Sequence, residues 1–182
     1  MHKDWQPLGY VSNWGGMEVG EGMLYPVSVI DGLVHQLGGP KLALECKMIN
    51  LMKGGCPIGK AVETTSGSEE LRSRFERIIH VTPPFFKYHE NGDPVQALQQ
   101  CYRSALALAF SNHRRNEYTV ACPLIGAGAR GFPYDIAIAV ATSEARKWLR
   151  EVMTEHPSHL YFGIPDIHIA EHFVKMYHEL DK

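Results

Sequence analysis

The residues best suited to chemistry lie in 118–133, YTVACPLIGAGARGFP. A β-branched and apolar run, 118–125, leads into a small-residue loop at 126–131, and Phe132-Pro133 opens a helical stretch over 134–150. Glycines directly after a strand let the backbone turn sharply and bring bare amides close to a ligand. Consecutive amides facing one way, with a helix N-terminus behind them, attract a diphosphate. The same segment also reads as a tight strand-to-helix connection with no ligand, and a glycine-rich turn alone does not choose between the two. Asp31 adds a carboxylate where a helix begins, placed either for chemistry or simply to cap exposed amides. His35, one turn later on a helix that reads as buried, is expected to be a hydrogen-bonded structural residue, and His80, inside a strand, likewise.

The elements that must position these residues alternate along the chain. Residues 8–12 suggest a short strand before a glycine-rich loop at 13–22, NWGGMEVGEG. A helix starts near Ser28 or Val29. Val29, Leu33 and Leu37 recur at helical spacing with Ile30 and Val34 alongside, which predicts that this face is buried. Gly38-Gly39 stops the helix, and Pro40 opens another over 40–49. A strand is expected at 61–65, a polar surface loop at 66–74, and a compact buried strand, RIIHV, at 77–81, ended by Pro83-Pro84. Asp93-Pro94-Val95-Gln96 supplies an N-cap, a first-position proline and a capping-box glutamine for the next helix. LYFGI, 160–164, is a last strand, and 169–180 a final amphipathic helix. Strands alternating with helices imply a mostly parallel sheet covered on both faces, with ligands at the C-terminal ends of the strands.

Composition bounds the function. The 182 residues read as one domain over 1–182, 45% apolar and 21% charged, as in ordinary globular proteins. A net charge of −2 gives no drive toward nucleic acid or anionic membrane. No apolar stretch is long enough to span a bilayer, and no signal peptide is evident. Cys46, Cys56, Cys101 and Cys122 form no C-x-x-C pair, so buried thiols in a reducing compartment, cytoplasm or nucleus, are expected, and no zinc site.

Five segments in order resemble a macro domain, the α/β/α module that binds ADP-ribose. They are VSVIDGLVHQLGGPKLALEC (27–46), GGCPIGKAVETTSG (54–67), RIIHVTPP (77–84), ALQQCYRSALALA (97–109) and CPLIGAGARGFPYDIA (122–137). The resemblance implies a three-layer α/β/α fold with a mostly parallel mixed sheet that lacks one or more N-terminal strands. IDGLVH, 30–35, is similar to the V-D-G-x-I-H signature of the hydrolytic, MacroD-like branch. By the same likeness Gly126, Ala127, Gly128, Ala129, Arg130, Gly131 and Phe132 line the diphosphate and distal ribose, and Ser28, Val29 and Ile30 approach the diphosphate from the other side. Asn13 matches an asparagine that positions the distal ribose, although its residue type also suits a left-handed turn. Asp31 matches an aspartate implicated in binding or catalysis, and Phe162 or Tyr161 an aromatic that stacks on adenine. Arg130 stands where the family often has an aromatic, and a guanidinium there can pair with phosphate through two parallel hydrogen bonds.

The sequence also departs from the pattern. The strand whose aspartate reads adenine is missing, leaving Asp4 and Asp166 as candidate substitutes. Tyr10 replaces the first asparagine of the family motif. GGMEVGEGMLYPVS (15–28) replaces a run of four glycines and, with Arg130-Gly131, is closer to the macro domain of the ganglioside-induced differentiation-associated protein type. The expected function is binding of ADP-ribose or mono-ADP-ribosylated protein, with hydrolysis of the ADP-ribosyl ester on acidic side chains as its enzymatic form. The alternatives are a non-catalytic reader and a degenerate macro domain serving as a protein or RNA interaction module. No metal or cofactor is expected beyond the ligand, and a missing first strand would leave a sheet edge through which the chain could dimerise.

Overall fold

The computed structural model describes residues 30–87, 92–110, 118–152 and 158–180. The strand expected at 8–12 and the loop at 13–22 lie outside the described residues. The chain forms two compact units that divide between Thr82 and Pro83. The described elements of the first are α1 (Ile30–Lys53), β1 (Ala61–Thr65), α2 (Glu69–Arg72) and β2 (Arg77–Val81). Those of the second are α3 (Pro94–Phe110), β3 (Tyr118–Pro123), α4 (Tyr134–Val152), β4 (Ser158–Gly163) and α5 (Ile167–Glu179).

In the first unit the two helices expected around Gly38-Gly39 are present, meeting at a kink within α1. Gly39 takes φ +64°, a backbone conformation that glycine reaches without strain, and Pro40 restarts the helix. The buried stripe of α1 is Gly32, His35, Gly38, Leu42, Ala43 and Cys46. This corrects the expectation from hydropathy, because Ile30 and Leu33 are exposed. The packed face runs through small residues and a histidine, which an apolar count does not see. Leu42, Cys46 and Cys56 form the centre, with Val34, Ile49 and Val62 against them. Residues 66–74 are not a plain surface loop. Ser68 caps α2 by accepting the Leu71 amide (3.1 Å) and donates to the Leu37 carbonyl (2.6 Å), while Leu71 is buried.

β1 and β2 pair antiparallel, Ala61 opposite Val81 and Thr65 opposite Arg77. The His80 ring nitrogen Nε2 lies 2.8 Å from the Thr64 hydroxyl, and its ring centroid is 6.0 Å from that of His35. Burial pushes the His80 pKa down to about 3, helped by the neighbouring His35. Burial also lowers His35, against the opposing pull of Asp31.

In the second unit β3 and β4 pair parallel, Tyr118 opposite Ser158 through Pro123 opposite Gly163. One antiparallel and one parallel pair make the described strands more mixed than strand–helix alternation suggests. Asp93 caps α3 as expected, accepting the Val95 amide at 2.8 Å. α3 buries Leu98, Cys101, Tyr102, Leu106 and Phe110. The carboxylate of Glu144, 2% exposed, receives two bonds of 2.8 Å from Arg103 and one of 3.1 Å from Lys147, tying α3 to α4. Its own burial would raise its pKa, but these donors outweigh that and hold it low. The hydroxyl of the fully buried Tyr102 accepts the Ile125 amide at 2.9 Å.

Two outcomes follow. Tyr102→Phe strands a buried amide and should cost about 1–3 kcal/mol in urea-unfolding stability; an unchanged midpoint would mean that the Ile125 amide finds another acceptor. Acid should destabilise the first unit, because an unfolded histidine of pKa about 6.5 takes a proton that folded His80 and His35 refuse. Stability is therefore complete above about pH 6.5 and declines below it, by up to about 1.4 kcal/mol per pH unit for each histidine. Urea midpoints across that range test the slope, and a flat profile would contradict the burial of these rings.

Candidate functional site

Beyond β3 the chain turns at Gly126, whose φ of +85° lies in the left-handed region. The conformation favours glycine, and a Cβ there would sit tightly against Phe132 Cδ2 at 3.0 Å and Leu98 Cδ1 at 3.2 Å. Three backbone bonds close the loop: the Ala127 amide donates to Leu124 O (3.4 Å), Gly131 to Gly128 O (3.0 Å) and Phe132 to Gly126 O (3.1 Å). Among the described residues, the amides of Gly126, Gly128 and Ala129 make no hydrogen bond. Gly128 and Ala129 are exposed, Ala127 and Arg130 half-buried. α4 begins at Tyr134, directly after Pro133, and the partial positive charge of its first turn stands at the end of the loop. Unspent amides next to a helix N-terminus form an anion receptor.

Residues 85–86 hold the loop from outside it. The Phe86 amide donates to Arg130 O at 3.0 Å, and the Phe86 ring lies 5.2 Å from that of Phe132. The guanidinium carbon of Arg130 is 4.4 Å from the centroid of Phe85. The sequence motifs single out neither Phe85 nor Phe86, although an aromatic pair after Pro83-Pro84 is a signal for them, and they place Tyr102 only on the apolar face of its helix.

In the first unit, Asp31 lies in the first turn of α1 with its side chain 41% exposed, and its Oδ1 is 3.6 Å from Nε2 of the buried His35. Neither ring nitrogen of His35 makes a hydrogen bond among the described residues, which corrects the expectation of a hydrogen-bonded histidine. Ile30 is exposed at the head of the same helix.

The remaining expected site residues fall in different places. Asn13, Ser28 and Val29, like Asp4 and Tyr10, lie outside the described residues. Gly126 through Phe132 form one loop, but Phe132 as a whole is 3% exposed, its ring packed against Phe86 and its amide bonded to Gly126 O. The ring of Phe162 packs 4.7 Å from Phe173 and 6.5 Å from Tyr102. Strand alternation turns the neighbouring Tyr161 the other way, and it is 59% exposed. Asp166 caps α5, accepting the amides of His168 and Ile169 at 2.9 and 3.1 Å, so its carboxylate is already engaged.

The described groups nearest to a metal-ligand set are His35, Cys46 and His80, whose ligand atoms lie within 4.8 Å of one another. Ligand atoms on one tetrahedral zinc stand about 3.5 Å apart, so these would have to close up to share an ion. None of the four cysteines is in a disulfide, and burial pushes the Cys122 thiol up to about 12. A hollow of about 370 Å³ in the first unit is lined by Glu63, Thr64, Thr65, Arg72, Glu76 and Arg77. Its two carboxylates cancel its two guanidiniums, so it does not select anions. No helix among the described residues is long and apolar enough to cross a membrane.

The macro domain family model matches residues 22–141, from before α1 through the glycine loop into α4. A macro domain-containing protein of Listeria monocytogenes is 37% identical over 122 residues, 67% of this chain and 65% of that protein, so the chain spans just under two thirds of that relative. The ADP-ribose glycohydrolase MACROD2 of Homo sapiens is 35% identical over 120 residues, 66% of this chain and 26% of that protein. Among solved structures, the Oceanobacillus iheyensis macrodomain with ADP gives a TM-score of 0.66 at 21% identity, covering 93% of this chain and 79% of the other. The macro domain of ganglioside induced differentiation associated protein 2 gives 0.65 at 22%, covering 84% and 69%. These likenesses carry the α/β/α macro fold. With a family model matched over well over half of its residues, the chain belongs to the macro domain family.

Proposed function

We propose that this chain binds ADP-ribose, free or attached to protein, and removes mono-ADP-ribose from acidic side chains. The observation that carries the reading is the loop at 126–132, with unspent amides at Gly126, Gly128 and Ala129 before the N-terminus of α4. Such a receptor suits a diphosphate, the shared core of ADP and ADP-ribose. Support also comes from the relatives: one is an ADP-ribose glycohydrolase, and one similar macrodomain was solved with ADP.

In this reading the loop amides hold the diphosphate and Arg130 pairs with a phosphate oxygen. By family likeness Ser28, Val29 and Ile30 are assigned to the diphosphate and Asn13 to the distal ribose. Asp31, together with the ligand's own phosphate, orients a water. That water attacks the anomeric carbon, its proton passes to the nearby anion, and the ester C–O bond breaks to release the side-chain carboxylate. Fixed donors and a positioned nucleophile need no metal for this step. One observation favours a reader instead of a hydrolase: Asp31 sits one turn before His35, 3.6 Å away, where it also serves the fold.

Calorimetry with ADP-ribose, using AMP and ribose 5-phosphate as controls, should give micromolar affinity, about −8 kcal/mol, and weaker binding of either fragment. Absence of heat with ADP-ribose would remove the reading. Release of ADP-ribose from an automodified transferase should occur with the native chain and fall at least about 100-fold in Asp31→Ala, with binding retained. Binding without turnover would make the protein a reader, and an unchanged rate in the variant would take the chemistry away from Asp31.

A further inference from the structure

We infer that the outer face of α1 over 41–52 docks an acidic amphipathic helix of a partner protein. That helix lays its apolar stripe along Leu44, Met48 and Leu51 and its carboxylates against Lys41 and Lys47. The inference is independent of the diphosphate reading, because none of these residues has a part in the proposed chemistry.

After the kink at Gly39, α1 has two apolar faces. Leu42, Ala43 and Cys46 are buried in the first unit. On the opposite side Leu44, Met48, Leu51 and Met52 are 46–75% exposed. Four large apolar side chains along about 12 Å of helix form a patch, unlike singly scattered exposed residues. Their order points to a helical partner. Lys41, Leu44, Met48 and Leu51 follow one another at steps of three, four and three, the spacing of a seam into which a second helix sets its own side chains. Methionine adapts to the shape it meets, which suits a surface exposed until a partner arrives. Charge selects the kind of helix. Lys41 stands in the seam and Lys47 at its edge, both exposed, and among the described residues neither pairs with a carboxylate. Glu45, the acid within this stretch, is engaged by Thr65, accepting its amide at 2.8 Å and its hydroxyl. A lysine in a seam weakens pairing with a wholly apolar helix and favours one that brings a carboxylate opposite it. A second copy of α1 would bring the same two lysines, and like charges across an interface are penalised. The surface therefore fits an acidic helix better than it fits itself.

The test uses the full chain and a synthetic peptide of three heptads, with leucine at a and d and glutamate at e and g, whose like charges keep it from pairing with itself. Fluorescence anisotropy should show this peptide binding, more weakly as salt is raised. The same peptide with lysine at e and g should bind about tenfold more weakly. The variant Leu44→Ser/Leu51→Ser should bind the glutamate peptide at least about tenfold more weakly than the native chain. Lys41→Glu/Lys47→Glu should reverse the preference and take the lysine peptide, a gain that a misfolded chain would not show. Failure of the glutamate peptide to bind at millimolar concentration, or equal binding of the two peptides, would overturn the inference. So would a dimer of the native chain in sedimentation that Leu44→Ser/Leu51→Ser dissolves, because the occupant would then be a second copy. Co-flotation with phosphatidylserine vesicles, lost in the same variant, would likewise overturn it by giving the face to a membrane.

Discussion

The bond between the Ile125 amide and the Tyr102 hydroxyl is the constraint from which the glycine loop takes its place. Both partners are buried, so neither has water to fall back on, and the end of β3 is pinned to α3 at one point. Gly126 then reverses the chain at a φ of +85°, close against the Phe132 and Leu98 side chains. From there, short-range backbone bonds carry the turn to Phe132, and the inward Phe132 ring anchors the far end. The loop is therefore defined by the scaffold beneath it. Within 127–130, Arg130 is the one side chain with a polar group of its own.

What was legible in the sequence was local. Gly39-Pro40 marked the break in α1, Asp93 the start of α3, and the glycine run the turn after β3, because each acts through its own backbone. Less legible was anything decided by a neighbour distant in sequence. α1 packs through Gly32, His35 and Gly38, so a count of Leu and Val pointed to the wrong face. Phe162 and Tyr161 carry similar rings, and only contact with Phe173 and Tyr102 tells which is turned inward. Ser68 and Asp166 were readable as caps in principle. Each was obscured by a competing reading, a polar loop for the first and an adenine ligand for the second.

The first unit resolves a different tension. Two histidines lie together beside a thiol in a small core, and His35 has no hydrogen-bond partner for its ring among the described residues. Neutral rings make this tolerable, because a neutral imidazole in an apolar site costs far less than a charged one. The Asp31 carboxylate pulls the other way, toward protonation, and loses to burial. Asp31 thus belongs electrostatically to the helix it opens as well as to any chemistry at its exposed edge.

A receptor built from main-chain amides has an evolutionary consequence. A side-chain substitution other than to proline leaves its amide in place, so an anion receptor of this kind is less exposed to single replacements than one built from side chains, except where a glycine conformation is needed, as at Gly126 and Gly131.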